Sequence, residues 1–332
     1  MTVIPRPLAL VLIALVALLA AFPLFGHLVF PAKAAFVMQK LTGIMILAMT
    51  AMSLDLLVGV TGLVSLGHAA FFGLGGYALA LLSPEYEAAN IWVVLPAALA
   101  AVAAVAVVVG FLSIRTSGIY FIMVTLAFGQ MGFYLFNDSK AAGGSDGMYI
   151  MEKPAIEIAG TALLKLSNTQ HFYYLVLALF VGVYFLLRMV LSSPFGRVVT
   201  AIGVNENRVR GLGFDPMRYK LVAFTIGCTV AGLAGFLAAA QYGFVNPTML
   251  SWHHSGEVLV MVILGGLGTL FGPAIGAFVF ELARFGFESM TEHWLALMGM
   301  LVISIVLLLP KGIGGLMLQL AQRRASRGGE AP

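Results

Sequence analysis

The strongest constraint on this chain is its series of long apolar runs. The first extends from Leu8 to Phe30 without a charged residue, and further apolar runs follow along the sequence. A helix of about 20 apolar residues spans the hydrocarbon core of a bilayer. Transmembrane β-barrels instead show short segments of alternating polarity, which are not seen in these unbroken runs. We therefore predict an all-α integral membrane protein.

Composition supports a membrane location. Only 10% of the 332 residues are charged, whereas a soluble domain has about 25%. The first run follows Arg6 and has the outline of a signal peptide, but it lacks a clear small-x-small cleavage site. We expect an uncleaved first membrane span. Apolar segments are predicted at 8–30, 41–58, 66–83, 91–113, 118–136, 171–191, 221–243, 256–285 and 293–309.

The basic residues predict the orientation of the chain, because short cytoplasmic loops carry an excess of lysine and arginine. The loop 192–220 and the C-terminal tail both have this excess, so both are assigned to the cytoplasm. The basic residues concerned are Arg197, Arg208, Arg210, Arg218 and Lys220 in the loop, and Lys311, Arg323, Arg324 and Arg327 in the tail. Counting back along the chain places loop 137–170, Glu85 and Glu87 outside and Arg6 inside.

Counting forward requires one additional crossing, since three segments after loop 192–220 would leave the tail outside. The stretch GGLGTLFGP (265–273) divides segment 256–285, because glycine and proline in sequence end a helix. We interpret 256–264 and 274–285 as two short helices joined by a bent loop. The prediction is about ten membrane segments with both termini cytoplasmic, a single transmembrane domain over 1–320 and a basic cytoplasmic tail over 321–332.

Two glycine-rich breaks interrupt the apolar segments. The stretch GVTGLVSLGHAAFFGLGGY (59–77) resembles 265–273, because both are rich in glycine within an apolar segment. Non-helical backbone at membrane depth must be buried by protein or line a water-filled cavity, and paired breaks in two halves of a chain indicate a transport pathway. Glycine also permits close helix packing, which is the alternative interpretation. The candidate pathway residues in the breaks are Ser65, Gly67, His68, Phe71, Phe72, Gly265, Gly266 and Gly268.

Two acidic residues precede the breaks. Asp55 and Glu257 are expected to be buried within the membrane, where ionisable groups are functional candidates. The alternative is that each carboxylate caps the free amides of a nearby helix start. A third acidic group, formed by Glu281 and Glu288 around Arg284, has the spacing of an ion-paired stripe on one helix face.

The loop 192–220 has the pattern of a docking element. Residues 197–210 are predicted to form a short charged helix that ends at Gly211 and Gly213. A compact charged helix on the cytoplasmic face is suited to contact another protein. The alternative is an ordinary solvated loop.

No metal site or cofactor is predicted for this chain. Cys228 is the single cysteine and lies in an apolar run, and the histidines are scattered apart from His253-His254. The net charge of +4 is explained by the basic cytoplasmic loop and tail, so nucleic acid is not an expected partner.

A set of stretches spread along the chain carries a family resemblance: GLVSLGHAAFFGLGGYALALL, SGIYFIMVTLAFGQM (117–131), GGSDGM (143–148), residues 193–224, VILGGLGTLFGPAIGAF (262–278) and LLLPKGIGGL (307–316). Together they resemble the permeases of branched-chain amino acid ABC importers, of the LivM-like, hydrophobic amino acid uptake type. The first three resemble the first signature and the next two landmarks of that family. The stretch 193–224 is similar to its cytoplasmic coupling loop, and the last two are similar to its C-terminal half.

The resemblance implies a multi-pass permease subunit of the bacterial inner membrane, not an enzyme. It implies a second homologous permease, two ATP-binding cassette subunits that use the ATP, and a periplasmic substrate-binding protein. By the same resemblance Ser65, Gly67, His68 and Phe72 lie near the translocation path. The resemblance also implies an ATPase-docking element that contains Glu206, Asn207, Arg208, Gly211 and Gly213, and the charged-helix pattern adds Arg197 to it. Two departures are the sequence 205–209, where the family often has acidic-x-Ala-Ala, and Asp55, where it often has an amide.

Competing hypotheses differ in their need for a cytoplasmic dock. A secondary transporter or channel for a small solute would need none, so the loop 192–220 discriminates against it. A membrane enzyme would need a catalytic constellation, and Ser65 and His68 have no evident third member. The family carries branched-chain amino acids, urea, amides or aromatic acids, and the sequence does not select among these solutes.

Overall fold

The computed structural model describes residues 6–29, 33–84, 88–158, 161–165 and 168–327. The acidic residues Glu85 and Glu87, assigned outside, and Glu330 of the tail lie beyond these ranges. The described residues form twelve helices: α1 (Arg6–Val29), α2 (Ala34–Asp55), α3 (His68–Leu82), α4 (Ile91–Ser113), α5 (Ile119–Asn137), α6 (Thr169–Ser192), α7 (Pro194–Gly211), α8 (Pro216–Tyr242), α9 (Trp252–Gly265), α10 (Phe271–Met290), α11 (Trp294–Leu308) and α12 (Gly312–Arg327).

Within the described ranges, seven segments are long and apolar enough to cross a membrane. They are Ala9–Gly26, Ala34–Thr61, Ile91–Ser113, Ile119–Asn137, Thr169–Ser192, Pro216–Tyr242 and Trp294–Gln322. Helix α3 is apolar but shorter. Helices α9 and α10 are the two short helices predicted within segment 256–285, and each is longer than the predicted 256–264 and 274–285. The mainly helical membrane architecture is therefore confirmed. Helix α12 continues across residue 320, where the sequence places the start of the tail.

Several helices begin where a polar side chain accepts a hydrogen bond from the first turn. Such caps satisfy amides that have no partner within the helix. The side chains that do so are Asn90 for α4, Asn168 for α6, Ser193 for α7, Asp215 for α8 and Ser251 for α9. These helix starts therefore follow from local sequence.

The core of the molecule is built from α2, α3 and α8. Gly75 of α3 lies against the carbonyl of Gly232, and Gly235 of α8 lies against the carbonyl of Phe72, so that a Cβ at either glycine would overlap backbone. Small residues allow this close approach of helices within a membrane. Lipid tails are as apolar as the side chains, so close packing, and not the hydrophobic effect, stabilises the association of the helices. In contrast, α1, α5 and α11 leave large apolar side chains uncovered by the chain.

The connection between α5 and α6 contains short β-strands, so the prediction of an all-α protein is wrong in this place. It contains β1 (Met148–Tyr149), β2 (Ala155–Ile158) and β3 (Thr161–Lys165), and β4 (Phe244–Val245) follows α8. Strand β1 pairs antiparallel with β4, and β2 pairs antiparallel with β3. Gly147 precedes β1 with φ +77° and sits against the carbonyl of Val245. The stretch 143–148 therefore anchors this loop to the end of α8.

Candidate functional site

The first glycine-rich stretch is a true break in the helical backbone. Helix α2 passes into a π-helical turn at Leu56–Thr61, and Gly62 ends this turn in the left-handed conformation with φ +75°. Non-helical backbone then leads to α3, which begins at His68. Most of this backbone is covered by the chain itself, with Ser65 and Gly67 buried. Burial by protein is one of the two conditions under which a broken backbone is tolerated at membrane depth.

The second glycine-rich stretch is the tip of the hairpin between α9 and α10. Gly266 and Gly268 have φ +102° and +74°. Leu270 has φ +56°, a backbone conformation that residues other than glycine rarely adopt. The Thr269 hydroxyl donates to the carbonyl of Gly266 and accepts from the amide of Gly272. The predicted bent loop within 265–273 is therefore present, although α10 begins at Phe271 and includes Pro273 in its first turn.

Asp55 joins the two breaks. Its carboxylate accepts hydrogen bonds from the amides of Gly268 at 2.7 Å and Leu270 at 3.1 Å, and its side chain is fully buried. Gly59 leaves room for this contact, because a Cβ there would overlap both the carboxylate and the Gly268 backbone. The carboxylate thus lies at amides that precede α10, which is the capping geometry for an acid near a helix start.

His68 and Ser65 are fully buried beside the first break. A hydrogen bond of 2.8 Å joins His68 Nε2 to the Ser53 hydroxyl, which itself donates to the carbonyl of Thr50. A hydroxyl has one proton, so this pattern assigns the imidazole proton to Nε2 and leaves Nδ1 as an acceptor. His68 Nδ1 and Ser65 Oγ have no hydrogen-bond partner among the described residues.

The start of α3 is held by contacts from two other helices. The amide of Ala69 donates to the Ser255 hydroxyl of α9 at 2.9 Å. Gly67 lies against the carbonyl of Thr125 on α5, where a Cβ would overlap the backbone. Phe71 packs edge-on against Phe224 and lines a small, mostly apolar cavity of about 170 Å³ between α3, α4 and α5. These glycine contacts give the packing interpretation direct structural support.

A larger cavity, of about 520 Å³, lies between α2, α8, α9 and α10. Phe72 of α3 forms part of its lining, and the Phe72 ring is 4.9 Å from the ring of His254. The remaining lining combines aromatic and charged side chains, among them Phe36, Lys40, Tyr242, Phe244, Glu257, Glu281, Arg284, Phe285 and Glu288. Ser65 and His68 line neither of the two cavities.

Glu257 differs from the expectation of a buried acid. Its side chain retains 40% of its exposure, within the large cavity, and its carboxylate is 3.4 Å from His254 Nδ1. The difference arises because α9 begins at Trp252, so Glu257 falls in the first half of the helix, at the open end of the hairpin. The predicted stripe on α10 is present: Arg284 contacts Glu288 at 2.8 Å and Glu281 at 3.5 Å.

Helix α7, predicted as the docking element, forms two helical pieces. Asn205 has non-helical backbone angles, and its side chain accepts from the amide of Arg208, so it caps the second piece. Glu206 binds Arg210 at 3.1 Å and Lys220 of α8 at 2.5 Å. The exposed predicted residues on this face are Arg197, Asn207, Arg208, Gly211 and Gly213, whereas Glu206 is half-buried.

Apolar side chains add to the exposed face of α7. Val204 and Leu212, the residue that follows α7, are 84% and 76% exposed, so large uncovered hydrophobic groups lie beside the arginines of this helix. Such a combination is typical of a protein-binding surface. The same helix touches the first break: Gly203 lies against the carbonyl of Val60, where a Cβ would overlap it.

Several residues of this arrangement were not predicted as site residues, although Lys220 was among the basic residues of the loop. Ser53 and Ser255 hold the start of α3, Lys220 holds Glu206, and Gly203 contacts the break. The only local signal was Lys220, a charge at the edge of an apolar helix. The serines and Gly203 look ordinary in sequence, since their roles depend on distant partners.

The fold defines a multi-pass membrane protein with broken helices and a charged helix between two spans. Residues 36–309 match the family model described as branched-chain amino acid transport system / permease component. The chain belongs to this family of transport permeases, and it is not itself an enzyme.

Individual relatives agree with this assignment. The chain is 33% identical over 288 residues to the high-affinity branched-chain amino acid transport system permease protein LivM of Escherichia coli (strain K12), covering 81% of this chain and 68% of that protein. It is 28% identical over 125 residues to LivH of the same organism, covering 37% and 40%. It is 37% identical over 110 residues to the autoinducer 2 import system permease protein LsrC of Klebsiella pneumoniae, covering 32% and 31%. No solved structure matches the chain.

Proposed function

We propose that this chain is the membrane-spanning subunit of an ATP-driven importer and forms part of the path for a branched-chain amino acid in a bacterial inner membrane. The observation that carries the proposal is the 520 Å³ cavity whose lining includes Phe72. His68 lies one helical turn beyond Phe72 on α3, with an acceptor nitrogen that lacks a partner among the described residues. Buried polar groups of this kind call for a functional explanation.

The pathway runs from the large cavity past Phe72 to Ser65, Gly67 and His68, and then to the meeting point of the two breaks at Gly265, Gly266 and Gly268. Phe71 and Phe72 close it to water in this conformation. The close packing at Gly67 means that opening requires α3 and α5 to move relative to each other. Motion of this kind is how broken-helix transporters expose a central site to alternate sides.

Helix directions support the proposed topology of ten membrane segments with both termini cytoplasmic. The end of the α2 segment and the start of α8 both lie beside α7, so a cytoplasmic α7 places the large cavity on the outer side. The hairpin tip meets Asp55 near the inner end of α2, and the carbonyl of Lys311 lies against Gly266. Accordingly α9 runs inward, α10 outward and α11 inward.

The partners proposed for the complex are a second homologous permease, two ATP-binding cassette subunits and a periplasmic substrate-binding protein. Helix α7 is the dock for one ATPase subunit, because its exposed face carries arginines together with Val204 and Leu212. Similarity to both LivM and LivH relatives supports a pair of related permeases. No cofactor is assigned to this chain, since ATP is used by the ATPase subunits.

Reconstitution tests the proposed function. The permease, co-expressed with its partner subunits, should take up L-leucine into proteoliposomes only when ATP, active ATPase subunits and the binding protein are all present. An ATPase variant that binds but does not hydrolyse ATP is the control. Uptake by this chain without the ATPases would instead identify a secondary transporter or channel.

A further inference from the structure

The lining of the large cavity has more acidic side chains than lysine and arginine side chains. Its lining contains two cationic side chains, Lys40 and Arg284, and three carboxylates, those of Glu257, Glu281 and Glu288. Arg284 forms ion pairs with two of these carboxylates, at 2.8 Å from Glu288 and 3.5 Å from Glu281. Glu257 has only the His254 ring within ion-pair distance among the described residues. The lining therefore has one more carboxylate than it has lysine and arginine side chains, and Glu257 is the carboxylate with no lysine or arginine within ion-pair distance among the described residues.

The cavity also has aromatic and aliphatic walls. Phe36 and Phe285 form an aromatic pair with ring centroids 6.3 Å apart on one side, and Phe72 and Phe244 line it from α3 and β4. Binding sites for small amphipathic molecules have this composition, with apolar walls and a few polar groups that determine orientation. The volume is within the range of ordinary small-molecule pockets, about 300–1,000 Å³.

We infer that this cavity is a low-affinity binding site for a small solute with an amino group and an apolar tail, and that Glu257 binds the amino group. The carboxylate of Glu257, which contacts His254 but no lysine or arginine, attracts a cation, the aromatic walls bind the tail, and Lys40 of the same lining binds the carboxylate of a zwitterion. The inference rests on the proposed function for its place on the import path. It adds a selective site within this chain, beyond the selection made by a separate binding protein.

The position of Glu257 favours a ligand role over a structural one. Arg284 of the α10 stripe contacts Glu281 and Glu288 rather than Glu257, and the contact of Glu257 within ion-pair distance is the His254 ring of its own helix. The side chain of Glu257 retains 40% exposure into the cavity. A carboxylate at a partly enclosed site with low local dielectric interacts more strongly with an ammonium group than one on an open surface.

A single introduced cysteine tests binding directly. Cys228 is buried, so Cys228→Ala gives a cysteine-free background in which Thr248→Cys places a thiol in the cavity and Ser145→Cys places one in the outer loop. In the assembled complex, millimolar L-leucine should slow the reaction of Thr248→Cys with an impermeant thiol reagent. 3-Methylbutylamine should protect as well, and 4-methylpentanoate, which lacks the amino group, should not. Ser145→Cys should be unprotected by all three.

The role of Glu257 is tested by charge removal with a matched control. Glu257→Gln should raise the L-leucine concentration for half-protection about tenfold, as expected for the loss of about 1.4 kcal/mol. Glu152→Gln in the outer loop should leave it unchanged. If Glu257→Gln does not assemble, the complex with Glu257 intact is labelled with thiol reagents of opposite charge. The ratio of the cationic to the anionic reaction rate should be higher at Thr248→Cys than at Ser145→Cys.

The outcomes separate this inference from the proposed function. Equal protection by L-leucine and 4-methylpentanoate, or no protection while ATP-driven uptake proceeds normally, overturns the amino-group site and leaves the importer intact. Absence of reagent-charge preference at Thr248→Cys also overturns it. Failure of ATP-dependent uptake contradicts the proposed function itself.

Discussion

At the scale of single residues, Asp55 has the most consequential contacts in the candidate site. One carboxylate holds two amides of the hairpin tip, and both partners are more than 200 positions away in sequence. The contact positions the second break against the first, and Leu270 is held there with φ +56°. A backbone conformation of this kind persists only where its surroundings maintain it.

Removal of the Asp55 carboxylate should destabilise the hairpin tip. Asp55→Ala leaves the amides of Gly268 and Leu270 without their acceptor, at a cost of about 1–3 kcal/mol for each unsatisfied buried group. Asp55→Asn keeps one acceptor oxygen and should have an intermediate effect. Thermal unfolding of the purified complex measures both, with exposed Asp146→Asn as the control. Identical melting temperatures for all variants would contradict the assigned role.

Gly67 of the first break and Gly182 of α6 differ in what an added side chain would meet. A Cβ at Gly67 would overlap the carbonyl of Thr125, whereas one at Gly182 on α6 would meet no atom within 4 Å. Gly67→Ala should therefore reduce stability and uptake together, because α3 must move away from α5. Gly182→Ala should be neutral or stabilise by about 0.5–1 kcal/mol through lost chain entropy. Melting temperature and uptake are compared for the two variants. If Gly67→Ala changes neither, the contact between α3 and α5 adjusts to a Cβ at little cost.

At the scale of elements, α7 connects the exposed docking face to the broken helices. Its second piece is held by the Glu206–Lys220 pair, in which the Lys220 side chain is only 9% exposed, and Gly203 lies against Val60 of the first break. Under the proposed docking, a displacement of α7 would be transmitted both to α8 and to the π-helical turn, so the proposed route from the ATPase to the pathway is short.

Charge reversal on α7 should weaken ATPase docking. Arg208→Glu combined with Arg210→Glu changes the exposed face from basic to acidic, and Arg210→Glu also places a like charge beside Glu206. We expect less co-purified ATPase subunit and slower uptake, while membrane insertion remains normal. Lys140→Glu in the connection between α5 and α6 is the control. Unchanged co-purification together with unchanged uptake would count against α7 as the dock.

At the scale of the whole molecule, the helices have two functional ends. The cavity with its carboxylates lies at one end, and α7 with the hairpin tip lies at the other, separated by most of the length of α8. That helix has 27 residues, which correspond to about 40 Å at 1.5 Å per residue. This separation matches a membrane protein that receives a solute on one side and ATPases on the other.

Site-directed labelling should place these ends on opposite sides of the membrane. In the Cys228→Ala background, Ser145→Cys should react with impermeant reagents from outside, and Thr200→Cys and Gln322→Cys only from inside. Intact cells and inverted vesicles give the two measurements. Labelling of Gln322→Cys from outside alone would contradict the ten-segment topology.

The sequence alone determined the features that act over a few residues. Apolar runs predicted the membrane helices, because burial of side chains in lipid depends on local composition. Glycine, with proline in the second stretch, predicted the breaks at 59–77 and 265–273, because backbone freedom is also local. The charged helix predicted over 197–210 begins earlier, at Pro194, after the Ser193 cap. These predictions needed no knowledge of distant partners.

Only the tertiary structure decided which distant groups meet. The contact of Asp55 with Gly268, the packing of Gly203 on Val60 and the exposure of Glu257 in a cavity depend on the relative placement of whole helices. The expectation that Glu257 is buried failed for this reason: its neighbours come from α2, α8 and α10 as well as its own helix. Helix placement arises from the summed packing of many small contacts, which no short stretch of sequence encodes.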